Sequence, residues 1–207
     1  MKSINPNQLS QKENYKLLSG SIVPRPIALI TSEHENGKIN AAPFSFFNMV
    51  SSNPPLIVVS IGRVDGKIYK HTAKNILRNK QFVVHLPHLD LLHQLNETSA
   101  PYSEGVSEVE KADLTLTEST IVNVPAIKEA KLRLECELFK TIPLGEDGHI
   151  QNDLIIGKVV YYHFADDVYE DGYINVKALD PIARLAGPNY ANLNEEIYLP
   201  RPTTADE

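Results

Sequence analysis

The chain has 207 residues, a net charge of −6, 42% hydrophobic and 22% charged residues. That is the profile of a soluble globular protein, long enough to bury a sizeable core as one domain. Basic residues nowhere run to about five or six in a row, which speaks against electrostatic capture of nucleic acid or of an anionic membrane. The segment 1–6 has no apolar signal region and no stretch approaches about 18 apolar residues, so neither a secretion signal nor a membrane span is expected and the cytoplasm is the expected location.

In chain order, Ser10 with Glu13 three positions on has the spacing of a capping box and predicts a short helix over 10–18. Pro24 and Pro26 keep the next segment extended, and a strand follows over 27–31. Residues 34–38 (His-Glu-Asn-Gly-Lys) form a hairpin turn around Asn36-Gly37, the strongest short-range turn signal in the sequence. The β-branched run 56–61 is a buried strand, 62–66 a loop, and 70–79 a helix for which Thr72 is the natural N-cap. A strand over 81–87 and a helix over 89–99 come next. The polar, acidic segment 101–112 reads as an exposed connection with a short helix. Further strands are expected over 121–124, 131–140 and 154–165, with the turn of the last hairpin at 145–148.

The single cysteine, Cys136, excludes an intrachain disulfide framework and a cysteine-based metal cluster. Apolar residues at 132, 134, 136 and 138 alternate along an amphipathic strand and put Cys136 on its core side, as a small buried hydrophobe. The tail, 179–190 and 197–202, is irregular and proline-rich yet carries large apolar residues, so it is expected to pack onto the body. Mainly hairpin-linked strands with short helices predict an antiparallel barrel or sandwich (mainly β, α+β) rather than a doubly wound sheet.

Residues 40–48 (Asn-Ala-Ala-Pro-Phe-Ser-Phe-Phe-Asn) stand out. Small residues at 40–42 allow close approach to the backbone, Pro43 fixes a bend, and Ser45 and Asn48 alternate with Phe44, Phe46 and Phe47. Amides, hydroxyls and aromatic faces together suit a flat heteroaromatic cofactor with a polar tail; equally, these Phe residues could simply fill the core. The free amides at the start of the 70–79 helix, with Lys70 beside them, could hold a phosphate, or belong to an ordinary capped surface helix.

Other chemistry finds no support. No G-x-G-x-x-G follows a strand and no Walker loop is present. The histidines lack HExxH, and Pro87 interrupts the one metal-like spacing, His85, His88 and His93. Ser45, Ser51, Ser52 and Ser60 lack a nucleophile elbow. What is left is an enzyme that borrows its reactivity from a cofactor, or no enzyme.

Five motifs in one order carry a resemblance: 23–31 (Val-Pro-Arg-Pro-Ile-Ala-Leu-Ile-Thr), 40–48, 50–55 (Val-Ser-Ser-Asn-Pro-Pro), 70–76 (Lys-His-Thr-x-x-Asn-Ile) and 184–190 (Arg-Leu-Ala-Gly-x-x-Tyr). Together they resemble the flavin reductase-like, FMN-binding split-barrel family, in particular its flavoredoxin-type branch, over about residues 5–202. The resemblance implies a six-stranded antiparallel Greek-key split barrel with short peripheral helices, one domain over 1–207 with both terminal extensions packed on it, and a homodimer. FMN would be bound non-covalently near the dimer interface. Ala42, Pro43, Phe44, Ser45, Phe46 and Asn48 would then meet the isoalloxazine. Thr31, Ser51, Ser52, Lys70, His71, Thr72 and Asn75 would hold the ribityl phosphate, and Arg184, Gly187 and Tyr190 would close over the site. His71 stands where the family usually has Asp, His85 where it has Asn, and Ala186 where a second Gly is usual; the last requires that position 186 tolerate a Cβ.

The activity so implied is an oxidoreductase in which NADH or NADPH gives hydride to the flavin N5 and electrons pass to free flavin, a ferric chelate or a redox partner such as a monooxygenase. No residue is nominated for proton transfer. The alternatives are an FMN-binding electron carrier or sensor with little NAD(P)H turnover, and a structural dimer without the cofactor.

Overall fold

The structure is a computed structural model that describes residues 1–103, 106–146, 148–193 and 195–200. Seven strands form its main sheet: β1 Ala28–Glu33, β2 Ile39–Phe44, β3 Phe47–Ser52, β4 Pro55–Gly62, β5 Gln81–His85, β6 Leu132–Glu146 and β7 His149–Phe164. Their order is β2-β1-β5-β6-β7-β4-β3, every pair antiparallel. The two outer strands, β2 and β3, are consecutive in the chain and separated only by Ser45 and Phe46. A sheet whose opposite rims are joined by two residues has to curl until the rims meet, which makes it a barrel with a seam at 45–46. The amide of Ser60 on β4 donates across this corner to the carbonyl of Phe46, at 2.9 Å.

The count is seven, one more than the six-strand barrel of the resemblance. At one rim, residues 47–52 turn back at 53–54 and pair with β4, from Phe47 opposite Val59 to Ser52 opposite Pro55. The expected strand at 121–124 is absent. That segment is a run of bends whose amides point at a side chain, as described below.

Alternation places the core. Ala28, Ile30, Ile57, Val59, Phe82, Val84, Leu134, Cys136 and Ile155 fill the barrel interior, joined by Ala73 and Ile76 of the helix α2 (His71–Asn79). Cys136 is fully buried there, and burial pushes its thiol far above the usual range. The outer face of β1 and β2, with Leu29, Ile39 and Ala41, is covered by a second apolar cluster from residues 91–114 and 127–130. β1 is therefore buried on both faces, which accounts for its continuous apolar run.

The N-terminal helix α1 (Gln11–Ser21) carries the capping box at Ser10 and Glu13 in full, and Gly37 closes the first hairpin at φ 79°. In α2 the cap differs from expectation: Lys70 occupies the N-cap without a side-chain cap bond, and Thr72 lies inside the first turn, buried, its hydroxyl accepting from Asn40 Nδ2 at 2.9 Å. The helical segment 89–99 is a 3₁₀ turn, Leu89–Leu91, followed by α3 (Leu92–Glu97). The connection at 101–112 is not an exposed loop. Its short helix α4 (Glu108–Lys111) sits against β2 with Ser107, Glu108 and Val109 buried.

The first part of the tail packs as expected, whereas 197–199 do not. Residues Ile182–Arg184 pair with Arg25–Pro26 on one side and Tyr190–Asn192 on the other, in a small sheet of their own. Further on, Ile197, Tyr198 and Leu199 are exposed. Asp147 of the expected turn and Arg201-Pro202 of the tail motif lie outside the described residues.

Candidate functional site

Where β2 leaves the second cluster, its last residues line a groove on the outside of the barrel. One hollow of about 370 Å³ is floored by Asn40, Ala42, Pro43 and Phe44. Its walls are the loop 64–70, the first turn of α2 (His71, Thr72), the turn 98–102 and Glu108. A second hollow of about 220 Å³ is lined by Tyr15, Ile27, Pro43, Phe44, Ser45, Leu95, Ser99, Arg184 and Tyr190. Pro43, Phe44 and Ser99 belong to both, so the two hollows lie side by side between the N-terminus of α2 and the tail.

Each end has its own chemistry. At the first, α2 presents amides that no side chain caps, with the ammonium stem of Lys70 exposed beside them. Such a terminus attracts an anion through aligned N–H groups and the helix dipole. His71, the first helical residue, packs its ring edge-on to His34, centroids 5.2 Å apart. The loop wall is braced by Arg63, which forks onto Asp153 at 2.7 and 2.8 Å and lies 4.1 Å over the ring of Tyr69.

At the second end, buried Arg25 ties three segments together. Its guanidinium donates to the carbonyls of Ser19, Ile22 and Leu185 and, at 3.4 Å, to Ser45 Oγ. Arg184 in turn lies 4.5 Å over the ring of Tyr190 and donates to Tyr190 Oη and to the carbonyl of Gly187. The turn at 185–189 needs only one left-handed residue, Gly187 at φ 61°. Ala186 is not among the residues with positive φ, so its Cβ sits there without backbone strain.

The sixteen nominated residues thus divide. Ala42, Pro43, Phe44, Ser45, Lys70, His71, Thr72, Arg184 and Tyr190 line the groove, and Gly187 shapes its tail wall. Thr31 does not line it: its hydroxyl is buried and donates to the Pro125 carbonyl at 2.8 Å. Asn75 is likewise buried under α2, donating to Ser32 Oγ at 3.1 Å. In a strand that alternates faces and a helix that turns every 3.6 residues, both side chains fall on the packed side. Phe46, Asn48 and Ser52 are exposed and Ser51 half-buried on the seam and edge strand β3, outside both hollows.

Several wall residues carried no local signal: Val64, Ile68 and Tyr69, the turn 98–102, Tyr15 and above all Glu108. Glu108 is only 6% exposed, and its Oε2 accepts from the amide of Ala41 at 3.2 Å. Burial raises this carboxyl above its ordinary value, against the lowering effect of its own amide, that of Ala41 and nearby His71.

The histidines at 85, 88 and 93 do not converge. His85 Nε2 accepts from the Ile127 amide at 2.8 Å while Nδ1 donates to the Leu29 carbonyl at 2.9 Å, a neutral, fully satisfied core histidine. Among the described residues no group of three or more His, Cys, Asp or Glu could hold a metal ion, and no helix is long and apolar enough to cross a membrane.

A curled antiparallel sheet with an anion-suited groove along its seam defines a class, and comparison with known proteins agrees. Residues 19–180 match the family model described as flavin reductase like domain, and the chain belongs to that family. The crystal structure of nitrilotriacetate monooxygenase component B from Bacillus cereus superimposes with a TM-score of 0.94 at 48% identity, over 96% of this chain and 98% of that one. Pseudomonas fluorescens 2-nitrobenzoate 2-nitroreductase NbaA does so with a TM-score of 0.87 at 33% identity, over 98% and 97%. The uncharacterized protein YwrF of Bacillus subtilis is 46% identical over 200 residues, 95% of this chain and 97% of its own.

Proposed function

We propose that the protein is an FMN-dependent oxidoreductase that takes electrons from NADH or NADPH and passes them to free flavin, a ferric chelate or a redox partner. One observation carries the reading: two adjoining hollows, which share Pro43, Phe44 and Ser99, lie between the uncapped amides of α2 and Arg184 with Tyr190. A phosphorylated planar ligand needs those features in that sequence. The names of the 48% and 33% identical proteins, a monooxygenase component and a nitroreductase, describe redox work.

FMN bound here supplies two-electron and one-electron chemistry, so the protein needs no nucleophile or general base of its own. Its residues bind and orient. Lys70 and the first amides of α2 hold the phosphate, with Thr72 oriented by Asn40. Ala42, Pro43 and Phe44 give a flat wall, and Ser45, fixed by Arg25, offers a hydroxyl at its edge. Arg184 and Tyr190 shut the far end against water. Lys70→Ala weakens FMN binding by about 1.5–3 kcal/mol, the worth of a charge-assisted hydrogen bond, as measured by flavin fluorescence quenching.

The chain acts as one domain with the tail up to Asn192 packed on it, and as a homodimer. Phe46, Met49 and Val50 are 43–68% exposed on the seam and β3, an apolar rim that a second copy would cover. Asn48, Ser51 and Ser52 share that rim, so their contribution to a flavin site would be made across the interface. Sedimentation should give twice the 23.1 kDa chain mass; a monomer removes those three residues from the site.

Anaerobic addition of NADH or NADPH to the FMN-loaded protein tests the activity. Bleaching of the flavin band near about 450 nm is expected. A yellow protein that neither nucleotide bleaches is instead an electron carrier or sensor, and failure to take up FMN removes the flavin reading altogether.

A further inference from the structure

We infer that Glu108 is a specificity-determining residue of the groove, accepting hydrogen bonds from the hydroxyls of the sugar-alcohol chain that links a phosphate to its aromatic ring. The inference rests on the flavin reading above and adds to it a residue that selects for the ribityl portion of the ligand.

Three observations meet at this side chain. It is almost wholly buried, yet it lines the larger hollow together with Lys70, His71 and Thr72. Its carboxylate accepts a hydrogen bond from the Ala41 amide at 3.2 Å, and only its own amide and His71 otherwise favour its charge. A carboxylate offers about four acceptor sites, so capacity remains for further donors. And it stands on α4, held in place from below by Ser107, whose hydroxyl donates to the Ile39 carbonyl at 2.9 Å. The group is fixed in position, short of donors, and adjacent to the anion end of the groove.

A buried carboxylate with unused acceptor sites is costly unless something supplies donors. A second anion cannot supply them. Neutral hydroxyls can, and on a phosphorylated sugar alcohol they lie on the carbons next to the phosphate. With the phosphate at the N-terminus of α2, the neighbouring hydroxyls fall within the same hollow as Glu108. The ring, carried further along the groove, stays beyond the carboxylate's reach. Glu108 thus discriminates by what joins ring to phosphate.

The test compares riboflavin, which has the ribityl chain and no phosphate, with lumiflavin, which has neither. Each is titrated by fluorescence quenching into cofactor-free wild type, Glu108→Ala and Glu108→Gln. Riboflavin binding should fall about ten-fold in Glu108→Ala and lumiflavin binding should not change, so that the preference for the ribityl chain collapses. Glu108→Gln keeps an acceptor for the Ala41 amide and controls for folding. It should lose part of the riboflavin preference while its affinity for FMN relative to riboflavin rises, because the negative charge beside the phosphate is gone. Equal losses for riboflavin and lumiflavin, or an unchanged ratio in both variants, overturn the inference and leave the flavin reading standing. A wild type that binds none of the three flavins overturns both.

Discussion

Two glutamates on the outside of this barrel are both buried, Glu135 wholly and Glu108 to 6% exposure, and behave in opposite ways. Glu135, on β6, lies under the loop 119–124. Burial alone would raise its carboxyl, but His163 Nε2 at 2.6 Å and the amides of Thr120, Ile121 and Val122 at 2.6–2.9 Å outweigh that, and the group is held below its ordinary value. Glu108, under the neighbouring cover, has only two amides and is pushed up. Burial by itself says nothing about role. The number of donors aimed at a carboxylate separates a group that holds a loop from one left open to a ligand.

The largest test of this contrast removes the saturated member. Glu135→Ala leaves three loop amides and His163 without their acceptor, and should cost about 3–5 kcal/mol in urea unfolding, the range for breaking a buried network. Amide exchange at 120–122 should rise with it. A loss below about 1 kcal/mol would place Glu135 with Glu108 and dissolve the distinction.

Titration sharpens it next. His85 is held neutral, its value lowered to about 4 from 6.5 by burial. The unfolded chain therefore takes up a proton first, and stability falls as pH drops from 6.5 to about 4. A shift of that size corresponds to roughly 3 kcal/mol. Glu135 has the same sign at lower pH: its folded value lies below 4.5, so its contribution is present above 4.5 and disappears as pH falls through the folded value. Glu108 has the opposite sign. Its folded value is above 4.5, so stability rises on acidification from that value down to 4.5. Both proteins lose stability through His85 across this range, so urea unfolding should show the wild type gaining relative to Glu108→Gln as pH falls towards 4.5.

The smallest expected effect is Glu108→Gln at neutral pH. The amide oxygen still accepts from Ala41 and no buried charge remains, so stability should change by under about 1 kcal/mol. A loss as large as that of Glu135→Ala would make Glu108 a structural group after all.

What could be read from the residues follows the same line between local and distant causes. The capping box at Ser10 and Glu13, the Asn36-Gly37 turn and the inward alternation through Cys136 depend on neighbours in sequence, and all are present. The groove floor at 42–45 was legible because its small and aromatic residues are adjacent. Residues 121–124 (Ile-Val-Asn-Val) have the composition of a strand, but the Glu135 carboxylate, 13–14 positions further on, captures the amides of Ile121 and Val122, and Gln81 Oε1 takes that of Asn123. Glu108 stands in a polar, acidic segment that reads as an exposed connection; what buries it is β2, some 67 residues away. Thr31 and Asn75 carried suitable groups but face the packing. The pairing of β3 with β4 was hidden by the Pro54-Pro55 pair, which marks the turn between them.

Ser45 and Phe46 give the molecule a girth it cannot change. Because the covalent chain, and not a ladder of hydrogen bonds, fastens one rim of the sheet to the other, the circumference is set by a strap two residues long. Moving the chain ends to this point, with the old ends joined, should let the sheet unroll towards a flatter shape while each hairpin survives. The floor of the groove, which runs from Asn40 to Phe44 right up to the strap, would be the first thing lost.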